Sequence, residues 1–129
     1  MITLNMVEVK DMIKIGVIGS RSFNNYELTK RTLDEYLDKV WVIVSGGASG
    51  ADSLGEKWAN ENNIKTCIYK PDWDIYGKKA GFIRNKDIVD DSDIVIAFWD
   101  GLSRGTEHSI NLARKMNKEV RIVYFNKII

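Results

Sequence analysis

WVIVSGGASGAD, Trp41–Asp52, is the stretch that decides the fold. Trp41–Ser45 is a mostly apolar run bounded by a glycine turn, which reads as a short strand buried on both faces. Gly46, Gly47 and Gly50 follow, and a helical pattern opens at Asp52. A glycine-rich joint between a buried strand and a helix belongs to an α/β domain. Without β-carbons the main chain can turn tightly and come close to a ligand.

Working outward, the same alternation repeats. Ile13–Gly19 is a buried strand ending in glycine. Asn24–Val40 is helical, with Asn24 or Asn25 as cap and Leu33, Tyr36, Leu37 and Val40 facing inward. Asp52–Asn63 is a second helix carrying Leu54, Trp58 and Ala59 on its inner face, and Ile64–Tyr69 is a strand that holds Cys67 as a small buried hydrophobe. Lys70–Gly81 has no usable period and is expected to be irregular, a length of connection that is often functional. Phe82–Asp91 is a helix, Asp93–Trp99 a strand, Thr106–Asn117 a helix capped by Thr106 with Ile110, Ala113 and Met116 inward, and Glu119–Phe125 the last strand. Trp41 and Trp58 are assigned to the core. The implied fold is α/β, a Rossmann-like, doubly wound, mostly parallel five-stranded sheet with helices on both faces, ordered 3-2-1-4-5. Residues 1–12 are read as an N-terminal extension and residues 13–129 as a single domain.

Composition narrows the function. The chain has 129 residues, 44% of them hydrophobic, with 19 basic and 18 acidic side chains and a formal net charge of +1. No apolar run approaches a membrane span and no signal-peptide pattern opens the chain, so a cytoplasmic location is expected. The balanced charge argues against nucleic acid as a partner. One cysteine and one histidine make neither an intramolecular disulfide nor a zinc cluster. No metal and no cofactor is expected.

In the expected strand order the ligand edge lies at the carboxyl ends of the strands, at the switch between the first and fourth. Three loops meet there: Gly19, Ser20 and Arg21 after the first strand; Gly46, Gly47, Ala48, Ser49, Gly50 and Asp52 after the second; Trp99, Asp100, Gly101, Ser103, Arg104, Gly105 and Thr106 after the fourth. Helix amino ends behind the glycines offer unpaired N–H groups to an anion. Arg21, Lys78, Lys79, Arg84 and Arg104 gather at the same edge. Trp73, Tyr76 and Trp99 either stack on a base or lid the sheet, and Asp52 either accepts from a ribose or caps its helix. The glycine loop is neither the dinucleotide fingerprint nor a Walker loop. Gly101–Gly105 (GLSRG) matches a nucleophile elbow around Ser103, but His108, the sole histidine, stands on the following helix rather than on a late loop.

Four segments, GSRSF (Gly19–Phe23), SGGASGAD (Ser45–Asp52), DWDIYGKKAGFIRN (Asp72–Asn85) and AFWDGLSRGTEH (Ala97–His108), together resemble the YspA-like, YpsA-related branch of the SLOG superfamily. The resemblance runs from about Ile15 to Val123 and adds Asn85 to the expected ligand set. It implies a Rossmann-like domain that binds a nucleotide or nucleotide-derived small molecule, in a phage or bacterial signalling setting, as a sensor or sequestering protein. The chain is more distantly similar to the Lonely Guy phosphoribohydrolases, which implies an alternative as a metal-independent nucleotide N-glycosidase with Arg84 and Glu107 as catalytic candidates. Their glutamate three places after the threonine is Ser109 here, and Glu107 points about 200° away from it around the helix. Whether the chain is an enzyme is left open by that loss. Domains of this type often pair through helix faces, so a homo-oligomer is expected.

Overall fold

The computed structural model describes residues 12–125. The expected N-terminal extension lies, apart from Met12, outside the described residues. The elements run β1 (Ile13–Gly19), α1 (Tyr26–Asp34), β2 (Val40–Ser45), α2 (Ala51–Glu61), β3 (Lys65–Ile68), α3 (Trp73–Tyr76), a 3₁₀ turn at Gly77–Lys79, α4 (Ala80–Asp90), β4 (Ile94–Trp99), α5 (Arg104–Lys115) and β5 (Glu119–Tyr124). The strands form one sheet in the order β3-β2-β1-β4-β5, and every pairing is parallel. The expected doubly wound Rossmann-like fold is therefore the observed one.

Alternation along the strands builds a core on each face. Ile15, Val17, Ile43, Ile96 and Phe98 pack with Leu33 of α1 and Trp58 and Ala59 of α2. Ile18, Val42, Val44, Val95 and Ala97 pack with Ile88 and Val89 of α4 and Ile110 and Ala113 of α5. Among the described residues no helix is long and apolar enough to cross a membrane.

Several boundaries and side chains depart from the sequence expectations. The first helix opens with Asn25, whose side chain accepts from the Leu28 N–H at 3.0 Å, and it ends at Asp34 rather than Val40. Leu37 then falls in the following turn and is exposed. Trp41 is exposed instead of core, because the β1–β2 register skips it: Ile13 faces Val40 and Lys14 faces Val42. The bulge leaves Trp41 unpaired and turned outward, with the Lys14 ammonium 5.6 Å from its ring centroid. Cys67 is only half-buried because β3 is an edge strand. The connection after β3 is less irregular than expected, since Asp72 caps α3 by accepting from the Ile75 N–H at 3.1 Å. The fourth helix begins at Ala80, two residues before Phe82.

Helix α2 lies very close to the sheet at Gly55, where an added β-carbon would stand 2.8 Å from Val17 Cγ1. At Gly105 on α5 the same carbon would meet nothing within 4 Å. Helix propensity favours alanine over glycine by about 1 kcal/mol, so the two positions separate propensity from packing. Gly55→Ala is predicted to lower the melting temperature despite its propensity gain, and Gly105→Ala to hold or raise it. Thermal melts by circular dichroism check the contrast; a stable Gly55→Ala protein would contradict the packing described.

Candidate functional site

The carboxyl ends of β1, β2 and β4 deliver their loops to one rim, as the strand order requires. The β2 loop is held from both sides. Asp52, in the first turn of α2, accepts from the N–H groups of Gly46 and Ala48, each at 3.2 Å. Arg84 of α4 donates from Nη1 to the Gly46 carbonyl at 2.9 Å and from Nε to Asn85 Oδ1 at 3.0 Å. A β-carbon on Gly46 would sit 2.5 Å from Arg84 Nη1 and 2.9 Å from Asp52 Oδ2, so a side chain there would displace both groups from the loop. Gly50 has φ +81°, and its β-carbon would lie 2.4 Å from the Ser20 carbonyl oxygen. It lets the β2 loop seat on the β1 loop. Of the two readings of Asp52, neither names its observed contacts: the carboxylate grips the loop in front of its own helix.

Burial raises the Asp52 carboxyl to about 6, against the lowering effects of the Ala48 N–H and the Arg84 charge. Burial also lowers the Arg84 guanidinium below its ordinary value, while Asp52 acts the other way.

The β4 loop is organised by Asp100. Its Oδ1 accepts from the N–H groups of Leu102 and Ser103, both at 2.8 Å, and from Ser103 Oγ at 2.9 Å. These donors, the backbone ones first, hold its carboxyl below the usual range. The turn starts α5 at Arg104 with Ser103 at the cap position, two residues before the expected Thr106. Ser103 Oγ is 2.8 Å from Ser20 Oγ, and His108 packs tilted against Phe82, with ring centroids 4.6 Å apart. Ser103 is thus bonded to a carboxylate and a hydroxyl, not to an imidazole, and no nucleophile elbow is assembled. Trp99 donates to the Ser103 carbonyl at 3.0 Å and packs on Tyr124, a structural role.

Two clefts open on the rim. The first, about 450 Å³, lies at the β1/β4 switch and brings together Gly19, Ser20, Arg21, Ala48, Asp52, Arg84, Asn85, Ser103, Gly105 and Thr106. The second, about 390 Å³, adds Gly46, Gly47 and Trp73 and shares Arg21, Ala48 and Arg84 with the first. Ser49, Gly50, Lys79, Trp99, Asp100, Gly101, Arg104 and Glu107 line neither. Glu107 is exposed, and Ser109 occupies the cleft wall instead. Sequence reasoning missed Ile18, Ser22, Ile88, Ser109, Lys70 and Pro71. Ser109 was legible from its spacing: three residues after Thr106, it shares that residue's helix face. Lys70 and Pro71 follow β3, away from the switch between β1 and β4.

Residues 13–76 match the YspA, cpYpsA-related SLOG family. Gene 61 protein of Mycobacterium phage D29 is 39% identical over 113 residues, which cover 81% of this chain and 90% of that protein. The chain belongs to the YspA, cpYpsA-related SLOG family. Among solved structures it is similar to DNA processing protein A from Streptococcus pneumoniae, with a TM-score of 0.77 and 20% identity over 97% of this chain; it spans 54% of that one, about half its length. It is also similar to DNA processing protein A from Helicobacter pylori, with a TM-score of 0.68 and 25% identity over 90% of this chain and 67% of that one. The latter structure is described for its single-stranded DNA binding mode.

That relative corrects two expectations. A nucleotide-derived small molecule, bound or hydrolysed, was the expected partner, and nucleic acid was set aside on the net charge. The physical fault lies in the sum: a formal charge of +1 counts the whole surface, whereas a strand feels only the rim. Among the described residues, Arg21 and Lys70 form no ion pair.

The Asp52 shift carries a sign. The folded chain holds this proton more tightly than the unfolded one, whose carboxyl titrates near 3.8. Its contribution is therefore fully present below about pH 3.8 and lost as pH rises through about 6; the difference corresponds to on the order of 3 kcal/mol. Asp52→Asn is predicted to gain stability relative to the parent between pH 4 and pH 7, read by urea denaturation at each pH. A pH-independent difference between the two proteins would refute the assignment.

Proposed function

We propose that this chain binds single-stranded DNA along the carboxyl rim of its sheet. The observation that carries the reading is the continuity of the two clefts through Arg21 and Arg84. Single-strand sites combine a cationic groove that follows the backbone with aromatic faces on which bases stack. Arg21, Lys70 and Arg84 supply the charge, and Trp73, 55% exposed on the wall of the second cleft, supplies the face. The likeness to the Helicobacter pylori protein supports the reading. Residues 13–129 act as the single binding domain in this proposal, and copies joined as a homo-oligomer would offer several grooves to one strand.

Fluorescence anisotropy with a labelled oligothymidylate across 50–200 mM salt tests it. Affinity is predicted to fall with salt by a slope near −0.7 per phosphate contacted. Arg21→Ala reduces that slope by about 0.7. Trp73→Ala weakens binding by about 1–3 kcal/mol and leaves the slope unchanged. Absence of binding at the lowest salt, or identical behaviour of both variants, sinks the proposal.

A further inference from the structure

Helix α3 buries nothing. Eight consecutive residues, Asp72 to Lys79, are exposed, and neither α3 nor the 3₁₀ turn after it contributes a residue to the core. Three of the eight are nonetheless large and apolar: Trp73, Ile75 and Tyr76. Phe82, in the first turn of α4, is exposed as well. Single apolar side chains scattered over a surface need no explanation, but a cluster of them marks a contact. One helical turn is also too short to persist on its own propensity.

The two sides of this turn differ. Trp73 leans over the start of α4, where a β-carbon on Gly81 would lie 3.7 Å from its ring. Ile75 stands about 160° around the turn from Trp73 and is 71% exposed. Apolar residues on opposite sides place a helix between two surfaces. Among the described residues, the chain supplies only one of them.

The charges beside Ile75 and Tyr76 say what the other surface is. Asp74 comes just before them and Lys78 and Lys79 just after, and among the described residues none of the three is in an ion pair. A strip with an apolar centre, an acid at one end and two bases at the other is complementary to itself when turned about a two-fold axis. A nucleic-acid strand fits it less well. Such a strand stacks on rings and follows cations, whereas the most exposed apolar group of this turn is aliphatic and has a carboxylate beside it.

We infer that α3 is the contact through which two copies of this chain associate about a two-fold axis, with Ile75 and Tyr76 packing at the centre and Asp74 of each copy meeting Lys78 and Lys79 of the other. The contact gives the homo-oligomer proposed above a definite face, and it stands whatever the rim binds. Because Trp73 of the same turn lines the second cleft, the pairing brings the second clefts of the two copies near each other.

Sedimentation velocity on the full chain, over a concentration series, tests it. The parent is expected to reach twice its 14.7 kDa mass. Ile75→Asp, at an exposed position that leaves the core untouched, weakens self-association by about a hundredfold, the effect of losing a central interface residue. Asp74→Lys and the double variant Lys78→Asp/Lys79→Asp each set like charges face to face and stay monomeric. Mixed in equal amounts, these two charge variants form a dimer again, because each mismatch in one is answered by the other; misfolded proteins would not recover in this way. A parent that is monomeric at about 100 μM, where a micromolar contact is saturated, overturns the inference, and so does a mixture that stays monomeric. A dimer that all three variants leave intact overturns it too. Loss of oligothymidylate binding in Ile75→Asp, with the dimer kept, assigns the face to the strand instead. Strand binding by the parent is read separately, so failure of the single-strand reading leaves this contact standing.

Discussion

A half-buried guanidinium and a buried carboxylate clasp one peptide segment, and the rim depends on that clasp. Arg84 takes the carbonyl of Gly46, and Asp52 takes the amides of Gly46 and Ala48. The loop after β2 is thereby tied to α2 behind it and to α4 beside it. The two side chains bond the loop rather than each other, and their opposite charges favour one another across it. The glycines serve this arrangement. Gly46 leaves room for the two charged groups, and Gly50 allows the loop to lie on the Ser20 carbonyl.

Much of the fold was legible because it follows from pattern. β-branched runs at Ile13–Gly19, Val40–Ser45 and Ile94–Trp99 are buried on both faces, which requires a parallel sheet with helices on each side. What the pattern hid was local. Trp41 sits in an apolar run and looks like core, yet a one-residue bulge turns it to solvent. No single-residue preference announces such a bulge; it depends on how Lys14 pairs across the sheet. The start of α5 was misplaced for a similar reason. Thr106 has the usual capping chemistry, but Asp100 closes a turn that starts the helix earlier.

Strand order and glycine loops anticipated one rim, and the structure gathers the loops after β1, β2 and β4 there. Arg84, read from the long connection, and Asn85, read from the family resemblance, line the same cleft. Asp100, expected among the ligand-binding residues, closes the β4 loop through Ser103, and Trp99, left open between stacking on a base and lidding the sheet, donates to the Ser103 carbonyl. Net charge also served as the measure of nucleic-acid affinity. Acidic residues on distant surfaces lower that sum without weakening the rim: Glu35 is paired with Arg121 and Asp91 with Lys14, leaving Arg21 and Lys70 uncompensated at the groove.

The lengths of the two outer strands have a consequence for solubility. At one margin β3 offers four residues, too short a template for another polypeptide to zip onto. At the other, β5 has six residues, opens with Glu119, and carries Arg121 engaged with Glu35. Among the described residues, the short β3 and the Arg121–Glu35 pair on β5 limit the bare main chain onto which a further strand could pair.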